Sequence, residues 1–192
     1  MSLGSRFNAD RRLGLIVAAV IVALDQAVKA ILLGPVNLYE RQVIEVLSFF
    51  DLRYATNPGV SYGMFAAESL ESRIALFAVT SLISLGVLVW MFFEKKRGDI
   101  LALGLILGGA VGNLIDRFRL THVIDYADFH IGDWRPFAVF NLADVAITLG
   151  VVLLLARTLF IRDKNGDESG LENGPAPGKD RTAQVSAHSA TE

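Results

Sequence analysis

Two aspartates in the C-terminal half of the chain have the setting for acid–base chemistry: Asp125 within HVIDY, 122–126, and Asp144 within FNLADVAIT, 140–148. Asp144 lies about two helical turns into an apolar block, with no basic residue within one turn on either side. A carboxyl at that depth stays protonated unless a neighbour in space compensates it. If the chain folds back after Asp125, the two carboxyls meet. Adjacent carboxyls do not both ionise cheaply, so one keeps the proton and the other serves as a base toward water, the chemistry of aspartyl proteases. His122, Asp125, Asp128 and His130 also cluster within nine residues. A metal-dependent membrane hydrolase using His122, Asp125 and His130 is therefore an alternative, although no HExxH pattern accompanies them.

Other polar residues interrupt apolar stretches where each ionisable group costs about 2.5 to 3.5 kcal/mol and needs a partner or a function. Asp25 and Lys29 are four residues apart, one helical turn, and suit an ion pair near the outer interface. In GGAVGNLIDR, 108–117, the small residues Gly108, Gly109 and Gly112 let a neighbouring helix approach closely. Asn113, Asp116 and Arg117 close that segment and fit a structural hydrogen-bond network and a substrate contact equally well.

Those residues need long elements to hold them. The chain has 192 residues, 53% hydrophobic and 20% charged, more apolar than an ordinary soluble domain. Four blocks approach the ~20 residues that cross a bilayer: 13–33, 74–93, 100–116 and 137–161. With 18 basic against 20 acidic residues, no positive surplus exists to neutralise nucleic acid. The absence of cysteine excludes disulfides, thiolate nucleophiles and thiolate metal sites. Arg6, Arg11 and Arg12 precede the first block, Lys95, Lys96 and Arg97 separate the second from the third, and Arg157, Arg162 and Lys164 close the fourth. The positive-inside rule then places both termini in the cytoplasm and the connections 34–73 and 118–136 outside. In the first connection, 42–53 and 54–65 have strand-like composition around an Asn-Pro-Gly turn, which predicts a small outer sheet within the β-rich loop 35–68. A short interfacial helix is expected over 68–73.

The expected fold class is thus mainly α: a polytopic membrane protein with four transmembrane helices and a small extracytoplasmic β-sheet between helices 1 and 2. Residues 1–162 form the membrane domain, and 163–192, poor in large apolar residues, form a disordered cytoplasmic tail. A proton-coupled transporter would also keep intramembrane carboxyls, but no internal repeat of transporter length is evident.

With LDQAVK at 24–29, NPGVSYGMF at 57–65, GGAVGNLIDR at 108–117, HVIDY at 122–126 and FNLADVAIT at 140–148, the chain resembles the bacterial lipoprotein signal peptidases, or signal peptidases II, over roughly residues 13–160. The resemblance implies an aspartic endopeptidase of the bacterial inner membrane. Its substrates are prolipoproteins carrying a diacylglyceryl-modified cysteine, cut immediately before that residue. Matched residue by residue, the family's catalytic dyad falls on Asp125 and Asp144. Residues that support the site or bind substrate fall on Asp25, Lys29, Asn57, Gly59, Asn113, Arg117, Asn141 and Ala143. The resemblance implies no metal or other cofactor, and it leaves His122 as a structural residue or one that backs the site from behind. Membrane lipid is the expected surrounding partner, nucleic acid is not a partner, and the expected state is a monomer. Pro58 and the following Val60, Ser61, Tyr62 and Gly63 form the one local departure from the family's pattern.

Overall fold

The uncharged run from Ile74 to Phe93 has no partner for its apolar side chains except other helices or lipid. In the computed structural model, which describes residues 3–59 and 70–162, it forms most of one of four helices long and apolar enough to span a membrane. These are α1 (Leu3–Leu33), α3 (Leu70–Phe93), α4 (Arg97–Leu120) and α5 (Leu142–Arg162), with a single turn, α2 (Leu38–Arg41), after α1. Ile74, Leu82, Phe93, Val152 and Leu155 are among many large apolar side chains left exposed, as lipid-facing helices require.

Helix α4 is the central element, packed on α1, α5 and α3. Its glycines set the spacing. A Cβ on Gly108 would stand 2.7 Å from the Ala18 carbonyl oxygen of α1, and one on Gly112 2.9 Å from Asp25 Oδ2. Gly109 faces the other way, with the Ala143 carbonyl of α5 in the space a side chain would need. The close approach expected of Gly108, Gly109 and Gly112 is thus made on two sides at once. Ala18, Met91, Ile100, Leu103 and Leu107 form the apolar core toward the far end of the bundle.

At the other end lies a three-stranded antiparallel sheet in the order β1 (Val43–Leu47), β2 (Phe50–Asn57), β3 (Val123–Phe129). It rests on Leu32, Leu38, Tyr126 and Ala127, with Val28, Ile44, Leu52 and Phe140 packed around them. The first two strands come from the connection expected to form a sheet. The third comes from the second connection, so the sheet ties both together. Helix α4 stops where Thr121 turns left-handed (φ 68) and returns its N–H to the Arg117 carbonyl at 3.0 Å. The chain then enters β3 after one further residue.

Element bounds differ from the sequence expectation in two informative places. Residues 137–141, expected as the start of the fourth span, are not helical: Phe140 pairs with Ala127 of β3, accepting from Ala127 N at 2.8 Å and donating to Ala127 O at 3.0 Å. Asp144 therefore stands in the first turn of α5 rather than two turns inside an apolar helix. Residues 70–73 are the first turn of α3 rather than a separate helix. The expectations for 68–69 and for the tail 163–192 lie outside the described residues.

Candidate active site

The start of α5 forms a reciprocal cap. Asn141 is the N-cap residue: its Oδ1 accepts the Asp144 N–H at 2.9 Å, while Asp144 Oδ2 accepts the Asn141 N–H at 3.1 Å. The two other amides of that first turn also end on side chains. Leu142 N–H donates to the Tyr126 hydroxyl at 3.1 Å, and Ala143 N–H to Asp25 Oδ1 at 3.2 Å. Helix termini leave such donors without intrahelical partners, and here α1, β3 and the cap residue satisfy them. Asp144 is thereby fixed by backbone geometry, and its second oxygen receives Asn113 Nδ2 from α4 at 2.9 Å.

Asp125 reaches the same place from β3, where it pairs with Ala55 of β2. Its Oδ1 accepts Asn141 Nδ2 at 2.6 Å, and Asn57 at the end of β2 also hydrogen-bonds its carboxylate. Asn57 Oδ1 in turn accepts the Gly59 N–H at 3.1 Å, closing the Asn-Pro-Gly turn. Asn141 Nδ2 lies 3.1 Å from Asn113 Oδ1, so the two asparagines link the two aspartates. Burial, and next the charge of Asp144, push the Asp125 carboxyl up to about 7, against hydrogen bonds from Asn141 and Asn57 and the charge of Lys29.

Both carboxylates open on one cleft of about 670 Å³, lined with Asn57, by Phe137, Val139 and Phe140 of the extended approach and by Val145, Leu149 and Val152 along α5. Val145, Leu149 and Val152 are also on the exposed, lipid-facing side of α5. Polar groups thus gather at one end of an apolar groove.

Behind the aspartates is a buried ion network. Lys29 Nζ lies 2.8 Å from Asp25 Oδ2 and 2.6 Å from Asp116 Oδ2. Gln26 Nε2 adds hydrogen bonds to Asp116 Oδ1 at 2.9 Å and to Asp25 Oδ2 at 3.2 Å. The Asp25–Lys29 pair expected from the helical spacing is present, but it is one arm of a triad. Ala143 is fully buried against Gly109 and Gly112. Arg117, half-buried, is in electrostatic reach of Asp144, Asp125 and Asp116. It lines a neighbouring cavity of about 220 Å³ with Pro58, Arg73 and Thr121, not the main cleft.

The expected site residues are thus drawn together around two carboxylates, except that Gly59 acts through Asn57 and Arg117 stands to one side. Asp116, read with Asn113 and Arg117 as a hydrogen-bond network or a substrate contact, is in a network, with Lys29 and Gln26 as partners that its position beside Arg117 does not reveal. Gln26 and Tyr126 are two participants that the sequence reading does not single out. The alternative cluster does not assemble. His130 lies 3.2 Å from Asp51 of β2, Asp128 is taken by Arg53 and Arg135, and among the described residues no group of three or more His, Asp or Glu side chains is placed to hold a metal ion.

Known proteins resemble the chain over most of its length. Residues 17–160 match the family model described as Signal peptidase (SPase) II. The lipoprotein signal peptidase of Rhizorhabdus wittichii is 52% identical over 156 residues, covering 81% of this chain and 91% of that one. That of Sphingopyxis alaskensis is 50% identical, covering 81% and 90%. A solved bacterial membrane enzyme superimposes with a TM-score of 0.67 at 26% identity, covering 81% of this chain and 92% of the other. Four membrane helices, a strand-borne sheet at one end and a family match over most of the length identify the chain as a multi-pass membrane peptidase, and it belongs to the signal peptidase II family of aspartic peptidases.

Proposed function

We propose that Asp125 and Asp144 are the catalytic dyad, and that the protein removes the signal peptide from diacylglyceryl-modified prolipoproteins immediately before the lipidated cysteine. The observation that carries this reading is the shared cleft: two carboxylates at the head of an apolar groove that runs along the lipid-facing side of α5. Asp125 carries the shared proton near neutral pH and polarises the scissile carbonyl. The ionised partner takes a proton from water, which attacks that carbonyl carbon. The tetrahedral intermediate collapses with the C–N bond breaking and the new amine taking a proton from the pair. Lipid chains lie against Val145, Leu149 and Val152, and the substrate enters sideways from the bilayer. The peptide is extended at the cleavage point, because a helix keeps its carbonyls in internal hydrogen bonds.

Arg11, Arg12, Lys95, Lys96, Arg97 and Arg157 fall at the end of the bundle opposite the dyad. This favours the bacterial inner membrane with both termini cytoplasmic and the dyad toward the extracytoplasmic face. A monomer carries the whole proposed site. The test is cleavage of a lipidated prolipoprotein by the purified protein in detergent, followed by gel shift, beside an unmodified precursor and a chelator. Cleavage of the lipidated form alone, insensitive to chelator and absent from Asp125→Asn and Asp144→Asn, is the expected result. Normal turnover by either variant overturns the dyad.

A further inference from the structure

The buried triad behind the site has a symmetry that its individual residues do not reveal. Asp25 Oδ1 accepts the N–H of Ala143, the residue immediately before Asp144, at 3.2 Å. Asp116 Oδ2 accepts the N–H of Ile124, the residue immediately before Asp125, at 3.3 Å. Lys29 Nζ bridges the two carboxylates at 2.8 and 2.6 Å, and Gln26 spans the same two. Asp25, Lys29 and Asp116 are all at most 3% exposed. A charge network so enclosed keeps its geometry because any displacement leaves an uncompensated charge in a medium of low dielectric.

We infer that Asp116 is a positioning residue of the reaction: with Asp25 and Lys29 it forms a gauge that sets the separation of Asp125 and Asp144 by holding the peptide group ahead of each. The inference rests on the dyad reading above. None of the three need touch substrate. Asp116 fixes the strand-borne aspartate, Asp25 the helix-borne one, and Lys29 couples them, so slackening one arm loosens the pair without emptying the cleft. An error of about 1 Å between reacting groups costs on the order of a hundredfold in rate, so the effect falls on kcat rather than on KM.

Asp116→Asn keeps an oxygen for the Ile124 N–H but removes the charge that Lys29 grips. The expected result in the detergent assay is a folded protein whose kcat is down by about tenfold to a hundredfold with KM within about twofold. The alkaline limb of its kcat–pH profile also moves to lower pH. The direction of that move follows from the charged groups around Asp125: Asp144 opposes its ionisation, Lys29 and Arg117 favour it, and with Asp116 neutral both cations are less compensated. Asp116→Glu, which restores the charge, recovers part of the lost kcat. Wild-type kcat and pH profile in Asp116→Asn, with Asp125→Asn inactive, overturn the gauge and leave the dyad standing; activity in Asp125→Asn removes the dyad itself. If Asp116→Asn does not fold, Gln26→Leu decides: it takes away a neutral donor to both carboxylates, and an unchanged kcat overturns the proposal.

Discussion

Asp125 and Asp128 sit three residues apart on β3, both buried, with opposite electrostatic fates. Asp125 is pushed up to about 7 because burial and Asp144 outweigh two asparagine hydrogen bonds and Lys29. At Asp128 burial pulls upward too, but Arg53 at 2.6 Å and Arg135 at 3.1 Å hold the carboxyl below the usual range. Residue type, strand and burial are shared, so the partner decides. An aspartate facing a second carboxylate and amides keeps an exchangeable proton, whereas one facing guanidiniums becomes a fixed anion that anchors the loop leading to Phe137 and the cleft.

The largest effect should come from removing that proton-holding character. Asp125→Asn is expected to lower cleavage by at least about a thousandfold while leaving a folded protein; Asp128→Asn, measured in parallel, should keep the chemistry. Next, an arginine placed beside Asp125 should make it resemble Asp128. Ala55 is its direct cross-strand partner and shares its face of the sheet. In Ala55→Arg, kcat should fall by about tenfold or more and its alkaline limb should shift to lower pH.

Stability should separate the pair in the opposite sense. Asp128→Asn strands two arginines that are each partly exposed and should cost about 1–3 kcal/mol in denaturant unfolding. Its pH dependence follows the same logic. The folded pKa of Asp125 lies above the 3.8 of the free group, so its contribution is full below about pH 4 and is lost as pH rises through about 7. Asp128, lowered, contributes above the free value and loses its contribution as pH falls below it. Thermal melts across pH should therefore show Asp125→Asn gaining on wild type above pH 7 and Asp128→Asn losing most at neutral pH. Arg135→Ala should be the mildest, at less than about 1 kcal/mol, since its side chain is 42% exposed. A larger loss would mean that the loop anchor matters more than the ion pair's solvent exposure allows.

The same strand marks the limit of what the sequence made legible. Four apolar blocks could be read because lipid makes every polar interruption expensive. The two carboxyls could not be placed that way, since Asp125 lies beyond the third block and Asp144 stands in the first turn of α5 rather than deep within the fourth. β3 could not be read: six of its seven residues are buried, so the alternation that marks a half-buried strand is missing. The run 137–141 is apolar enough to continue a helix, and only its pairing with Ala127 makes it extended. Asp116 and Lys29 lie on different helices with two strands and the whole of α3 between them, and spacing along one helix says nothing about a partner on another. Asp25 and Lys29 were legible because one turn joins them.

The reciprocal cap at Asn141 and Asp144 has a practical consequence for capturing the enzyme with its substrate. Asp144→Ala removes one carboxyl of the proposed dyad and also unties the first turn of α5, so its cleft is an unreliable picture of the resting one. Asp144→Asn retains an oxygen able to receive the Asn141 amide and a shape close to the original. Of the two, the asparagine form is the better bait: able to hold an uncut precursor in register, with the helix that lines its groove still wound to its first residue.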